Sequence, residues 1–151
     1  MNQVVVKQEK SGYQIVEAYK SLRTNLQFCG EDKKIIAITS CTPNEGKSSV
    51  SMQLGISLAE IGKRVILIDA DLRKSVLLGR TKTEKSVRGL AHFLTGQASL
   101  EDVICSTNVK NFYMIYSGPF PPNPAELLVG KNFRSLLNAI RKVYDYFIVD
   151  T

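Results

Sequence analysis

Residues 35 to 49 constrain the fold of this chain more than any other stretch. An apolar run, Ile35-Ile36-Ala37-Ile38, leads into Thr39-Ser40-Cys41-Thr42-Pro43-Asn44-Glu45-Gly46-Lys47-Ser48-Ser49, and an amphipathic segment follows. Strand, turn and helix in that order is the context of a phosphate-cradling loop. A helix N-terminus offers unsatisfied backbone N–H groups and a partial positive charge to an anion. Gly46 lets the backbone approach phosphate with no Cβ in the way. Lys47 can reach the β- and γ-phosphates, and the Ser48 hydroxyl suits Mg²⁺. The candidate nucleotide-binding residues are therefore Thr42, Pro43, Asn44, Glu45, Gly46, Lys47, Ser48 and Ser49. In G-x-x-x-x-G-K-[ST] the first glycine would stand where this chain has Cys41. Gly-Lys-Ser alone also opens ordinary helices, so the weight of the reading rests on the flanking strand and helix.

The helix after the loop is expected from about Lys47 to Ile61, with Val50, Leu54, Leu58 and Ile61 on one face and Gly62 at its C-terminal cap. Val65-Ile66-Leu67-Ile68 then reads as a strand buried on both faces, hence parallel to its neighbours. It runs into Asp69-Ala70-Asp71-Leu72-Arg73. Ligands of open α/β sheets bind at the carboxyl ends of the strands, so Asp69 and Asp71 are expected at the same edge as the loop. Aspartate is also a common turn residue after a strand, which is the plain alternative. A later apolar strand, Tyr146-Phe147-Ile148-Val149, closes on Asp150. A carboxylate in that position downstream of such a loop ties Mg²⁺ to nucleotide phosphates.

The rest of the chain is plainer. Residues 1–14 read as a mobile arm despite the short run Val4-Val5-Val6. Ile15, Tyr19, Leu22 and Leu26 mark one helical face, with Glu17, Lys20 and Arg23 on the other and Gly30 after it. Residues 74–88 read as a basic loop. Short helices are expected near Leu90–Leu94 and after Ser99, where Asp102 completes a capping box. Phe112–Tyr116 is expected as a strand. Gly118 to Pro124 is excluded from helix and central strand by its prolines. Helical segments are expected from Ala125 to Leu128, and again over Phe133, Leu136, Leu137, Ile140 and Val143.

Composition excludes several classes. No apolar run approaches the ~18 residues of a membrane span, and the start lacks a secretory h-region, so a cytoplasmic location is expected. Cys29, Cys41 and Cys105 are too scattered for a zinc site. The net charge is +6, and Arg73, Lys74, Arg80, Lys82, Lys85 and Arg88 concentrate it in one stretch. Such a patch can meet nucleic acid, an anionic membrane surface or an acidic partner, or simply be solvated.

Together these segments resemble the cytoplasmic kinase domain of bacterial protein-tyrosine kinases of capsule and exopolysaccharide synthesis, the BY-kinases. The matching stretches are Glu17 to Leu26, Thr39 to Ser48, Ile66 to Arg73, Gly118 to Leu128 with its Pro-Pro-Asn-Pro core, and Tyr144 to Thr151. The nucleotide motifs alone fit the wider superfamily of partition and division-site ATPases; the first and fourth stretches are specific to the kinases. The resemblance implies a doubly wound α/β fold with a mostly parallel sheet, and ATP and Mg²⁺ as cofactors. It assigns catalysis to Lys47, Asp69 and Asp71, with metal contacts from Ser48, Asp69 and Asp150. It places Glu17, Lys20 and Arg23 on a subunit-contact segment. Lys20 stands where the family often has Arg, which exchanges a planar bidentate group for a point charge.

The implied partners are sister subunits, a separate membrane activator or adaptor that recruits the domain to the inner face of the cell membrane, and protein tyrosines. Nucleic acid is not among them. Family members run on past the equivalent of Asp150 to a tyrosine-rich tail. Residues 15–151 are thus expected to be a C-terminally incomplete kinase domain that, on its own, binds nucleotide weakly and does not autophosphorylate. Two other readings stand beside the kinase: a partition- or division-type ATPase with water as acceptor, and a nucleotide-binding module without turnover.

Overall fold

The computed structural model describes residues 1–6, 35–38, 47–70, 81–83, 88–118 and 122–150. The strands are β1 (Asn2–Val6), β2 (Ile35–Ile38), β3 (Val65–Asp69), β4 (Thr81–Thr83), β5 (Cys105–Thr107), β6 (Phe112–Ile115) and β7 (Tyr146–Asp150). The helices are α1 (Lys47–Glu60), α2 (Leu90–Leu94), α3 (Leu100–Val103), α4 (Pro124–Leu128) and α5 (Lys131–Arg141).

The strands form one sheet in the order β2-β7-β3-β6-β5-β1-β4. The block β2-β7-β3-β6 is parallel throughout. Every residue of β3 and of β7 is buried, as continuous apolar runs require when helices cover both faces. Side chains alternate between those faces. Val65, Leu67, Phe112, Met114, Tyr146 and Ile148 pack with Met52, Leu54 and Leu58 of α1. Ile66, Ile68, Ile115, Phe147 and Val149 pack with Leu90 and Leu94 of α2 and with Leu136 and Ile140 of α5. The sheet is therefore doubly wound, as the alternation of segments predicts.

α1 is buried on nearly every side. Met52, Ile56 and Ala59 are inside along with Leu54 and Leu58, whereas Ile61 is exposed. The expected single apolar face is too narrow: an all-round apolar helix is an enclosed one. Its C-terminus is the one anticipated. Gly62 adopts φ +87°, its N–H donates to Ala59 O, and the Lys63 N–H donates to Leu58 O. These are the paired bonds of a Schellman cap. Mid-helix, Gly55 lies against the Phe112 ring so closely that a Cβ there would overlap Cε1.

Three further expectations are corrected, and one strand was not anticipated. Asn2–Val6 is a strand, not part of a mobile arm: β1 pairs parallel with β5 and antiparallel with β4. Val4 and Val6 are buried beneath it while Val5 faces out. Thr81–Thr83, inside the segment read as a basic loop, is the edge strand β4. Cys105–Thr107 forms β5, which the sequence did not announce. β1 and β4 are completed by partners far away in the chain, and β5 pairs with distant β1 on one side and, antiparallel, with nearby β6 on the other. Pro124, grouped with the helix-excluding prolines, is the first residue of α4; proline is tolerated there because the first-turn N–H has no intrahelical acceptor.

The capping box after α2 forms as expected. Ser99 Oγ accepts from the Asp102 N–H at 3.3 Å, and Asp102 Oδ2 accepts from the Ser99 N–H at 3.2 Å. These bonds hold the exposed Asp102 carboxyl below its ordinary pKa. The helix expected over Ile15–Leu26 lies outside the described residues.

Candidate functional site

The carboxyl edge of the parallel block is where the motifs converge. Asp69 ends β3 and Asp150 ends β7, and the two are register partners. On its other side Asp150 is the register partner of Ile38, the last residue of β2. The Ala70 N–H donates to Asp150 O at 2.8 Å, carrying the pairing one residue past β3. Neighbouring strands lie about 4.8 Å apart, so the two carboxylates stand side by side. Both residues are 1% exposed.

Their direction follows from parity. On β3 the odd residues Val65 and Leu67 face α1, and on β7 the even residues Tyr146 and Ile148 do. Asp69 and Asp150 continue those two series and lie on the α1 face. α1 ends beside the start of β3, since Arg64 immediately precedes that strand and Gly62 caps the helix. A 14-residue helix spans about 21 Å, enough to run the full length of the five-residue strands it covers, about 17 Å. Its first residue, Lys47, therefore lies toward the carboxyl edge. β2 arrives at that edge and α1 departs from it, which is how a strand–loop–helix unit presents N–H groups to an anion.

The structure thus brings Asp69, Asp150 and the start of α1, with the backbone of Lys47, Ser48 and Ser49, to one edge. Thr42, Pro43, Asn44, Glu45, Gly46 and Asp71 lie outside the described residues, as do Glu17, Lys20, Arg23 and the side chains of Lys47, Ser48 and Ser49.

Sequence reasoning missed part of this edge. The buried polar and charged residues among those described are Ser51, Asp69, Ser117 and Asp150. Ser51 lies one helical turn into α1, and that spacing from the loop could have flagged it. Ser117 lies just past the end of β6, and Ala91 donates to its carbonyl at 2.8 Å. Tyr116 is the residue after Ile115, which pairs with Ile68. It therefore stands level with Asp69, is buried, and joins the α1-side core. Burying polar groups is costly unless they are satisfied or used, and here they gather at one edge.

The same edge is held shut beside β6. Gly118 has φ +81°, and a Cβ on Gly89 would overlap the Gly118 backbone. The Gly89 N–H donates to His92 Nδ1 at 3.0 Å, which makes that nitrogen the unprotonated one in the neutral ring. Arg88, at the end of the basic stretch, donates through Nη1 to Gln97 O. Among the described residues no group of three or more His, Cys, Asp or Glu side chains could hold a metal. Asp69 and Asp150 are a register pair.

Residues 33–151 match the AAA domain family. The chain belongs to that family. Within it, this AAA domain is 45% identical over 135 residues to the tyrosine-protein kinase CpsD of Streptococcus agalactiae, a match covering 89% of the chain and 59% of the relative. The chain thus spans about three-fifths of the length of that kinase. Among solved structures, the BceF tyrosine kinase domain superposes with a TM-score of 0.81 at 39% identity, over 90% of this chain and 55% of that one. The septum site-determining protein MinD from Pyrococcus horikoshii, complexed with Mg-ADP, gives a TM-score of 0.63 at 27% identity, over 78% and 48%. The AAA domain therefore has the doubly wound P-loop fold, and its relatives are bacterial tyrosine-kinase domains, as its motifs imply. No described helix is long and apolar enough to cross a membrane.

Proposed function

We propose that the chain is the nucleotide-binding and catalytic part of an autophosphorylating protein-tyrosine kinase that regulates capsule or exopolysaccharide synthesis. The observation that carries this reading is the register pairing of two buried aspartates on the α1 face, at the edge where β2 leads to Lys47. A hard, all-oxygen donor set of Asp69, Asp150 and Ser48 fits Mg²⁺, and the α1 N-terminus with Lys47 fits phosphate. ATP·Mg²⁺ supplies the phosphoryl group and neutralises part of its charge.

The protein's own work is positioning and charge stabilisation. The backbone of Thr42 to Ser49 cradles the phosphates, and Lys47 lies against the charge that develops on the transferred group. Asp71 takes the proton of the incoming tyrosine hydroxyl. Asp69 and Asp150 would hold the metal. Sister subunits, in contact through Glu17, Lys20 and Arg23, phosphorylate one another's tyrosines, ADP leaving, and a separate membrane adaptor brings the domain to the membrane's inner face.

Incubation of a chain extended to the length of the matched kinase with ATP·Mg²⁺ and a tyrosine-containing peptide, with phosphosite mapping and phosphate release read in parallel, tests the proposal. The kinase reading expects phosphotyrosine that vanishes in Lys47→Met and falls at least ~10²-fold in Asp71→Asn. Phosphate release without phosphotyrosine would replace it by the partition-type ATPase. Nucleotide binding with neither product would leave a non-catalytic module, and undiminished ATP affinity in Lys47→Met would remove the loop assignment itself.

A further inference from the structure

The outer side of α5 has no part in the site above. The helix turns Leu136 and Ile140 inward against the sheet, and Asn132 Nδ2 ties it to Leu94 O at 2.9 Å. Its other side carries Lys131, Arg134, Arg141 and, at the C-cap, Lys142, all exposed. At 100° per residue these four fall within an arc of roughly 100° and a length of about 16 Å. No acidic residue occurs between Glu126 and Asp145. Asp145 is turned elsewhere, accepting from the Arg64 N–H at 2.9 Å, and Glu126 accepts from Asn123 Nδ2 at 3.4 Å. Among the described residues none of the four cations is paired with a carboxylate. Val129 and Val143, 74% and 49% exposed, stand just before and just after the helix.

We propose that this face of α5 docks against an anionic lipid surface. The four cations sit on long flexible stems along a convex ridge, with no concavity or fixed donor array among them. That arrangement suits diffuse negative charge and not a shaped acidic protein patch. A nucleic-acid surface would use exposed aromatic rings or a groove-reading element alongside the cations, and the ridge presents neither. The contact is peripheral, and it is independent of whether the domain transfers phosphate to tyrosine.

Sedimentation with vesicles tests it, using phosphatidylcholine alone and phosphatidylcholine containing about one-third phosphatidylglycerol. Wild-type chain is expected to sediment with the anionic vesicles only, and to be released by salt within the range where surface charge is screened. Each basic residue is worth roughly fivefold in partitioning. The combined variant Lys131→Gln, Arg134→Gln, Arg141→Gln, Lys142→Gln is therefore expected to lose on the order of several hundredfold, with an unchanged thermal midpoint. The charge-keeping pair Lys131→Arg, Lys142→Arg is expected to sediment like wild type. Absence of wild-type binding, binding that ignores salt, or equal binding by the glutamine variant overturns the proposal. So does a DNA duplex that binds the wild type more tightly than the vesicles and loses that binding in the glutamine variant.

Discussion

Replacing Gly55 by alanine sets two effects of known sign against each other. In a helix interior, Gly→Ala is ordinarily stabilising, by about 0.5–1 kcal/mol. Here the new Cβ would overlap Cε1 of Phe112, with Cδ1 and Cζ each at 3.2 Å. Phe112 cannot move aside easily. It is 1% exposed, opens β6, and is in register with Val65 in the middle of the sheet. Overpacking of this kind costs about 1–3 kcal/mol, so the clash wins and the net loss is about 1–2 kcal/mol. For a domain of this size that is a fall of about 2–8 °C in melting temperature.

The remedy available to the protein is to push α1 off the sheet. Lys47, about two turns upstream on the same helix, moves with it, and ADP affinity falls as well. Thermal unfolding and ADP titration measure both. Phe112→Leu supplies the cycle, because it removes the ring that the Cβ meets. The double variant should be more stable than the sum of the single effects predicts, by about 1 kcal/mol. Additivity within about 0.5 kcal/mol, or an alanine variant as stable as wild type, would refute the reasoning.

Two further outcomes follow from packing and burial. Val4→Ala and Val6→Ala should each cost about 2 kcal/mol in urea unfolding, from lost burial plus the cavity left behind, while Val5→Ala changes stability by less than about 0.5 kcal/mol; three silent substitutions would return the segment to the status of a loose arm. Burial pushes the Cys105 thiol from 9.0 up to about 11. The folded state therefore holds its proton more tightly than the unfolded one, so this contribution to stability is intact below about pH 9 and drains away as pH rises toward 11. At pH 8 the residue should alkylate about a hundredfold more slowly than an ordinary thiol, and peptide mapping that finds Cys105 modified at an ordinary rate in folded protein contradicts this.

Much of the frame was legible because it rests on signals carried within one segment. Buried parallel strands need unbroken apolar runs, so Val65–Asp69 and Tyr146–Asp150 announced themselves. A left-handed cap needs glycine, so Gly62 marked the end of α1. The Ser99–Asp102 reciprocal pair is four residues long and forms wherever its helix begins. β1, β4 and β5 carry no such mark. Three to five residues of modest hydrophobicity become strands only because neighbours offer their N–H and C=O groups; for β1 and β4 those neighbours are far away in the chain and leave no local trace, while β5 also pairs with nearby β6 but is too short to show a pattern of its own. The enclosure of α1 was underread for the same reason, since one amphipathic stripe can be counted in the sequence while cover on the other sides comes from elsewhere.

The candidate site divides along the same line. By itself the sequence determined which groups are available: a Gly-Lys-Ser turn between strand and helix, and acids at the ends of two apolar strands, because each is a local pattern with its own chemistry. Only the tertiary structure decided that Asp69 and Asp150 are register partners, 81 positions apart (150 − 69), on the one face of the sheet that α1 covers. It likewise decided that Tyr116 stands level with Asp69 and that Ser51 is buried toward the same edge. The reason is physical. Parity along a strand says that alternate residues share a face, but which face meets which helix is set by strand order and crossover, and those are properties of the assembled sheet.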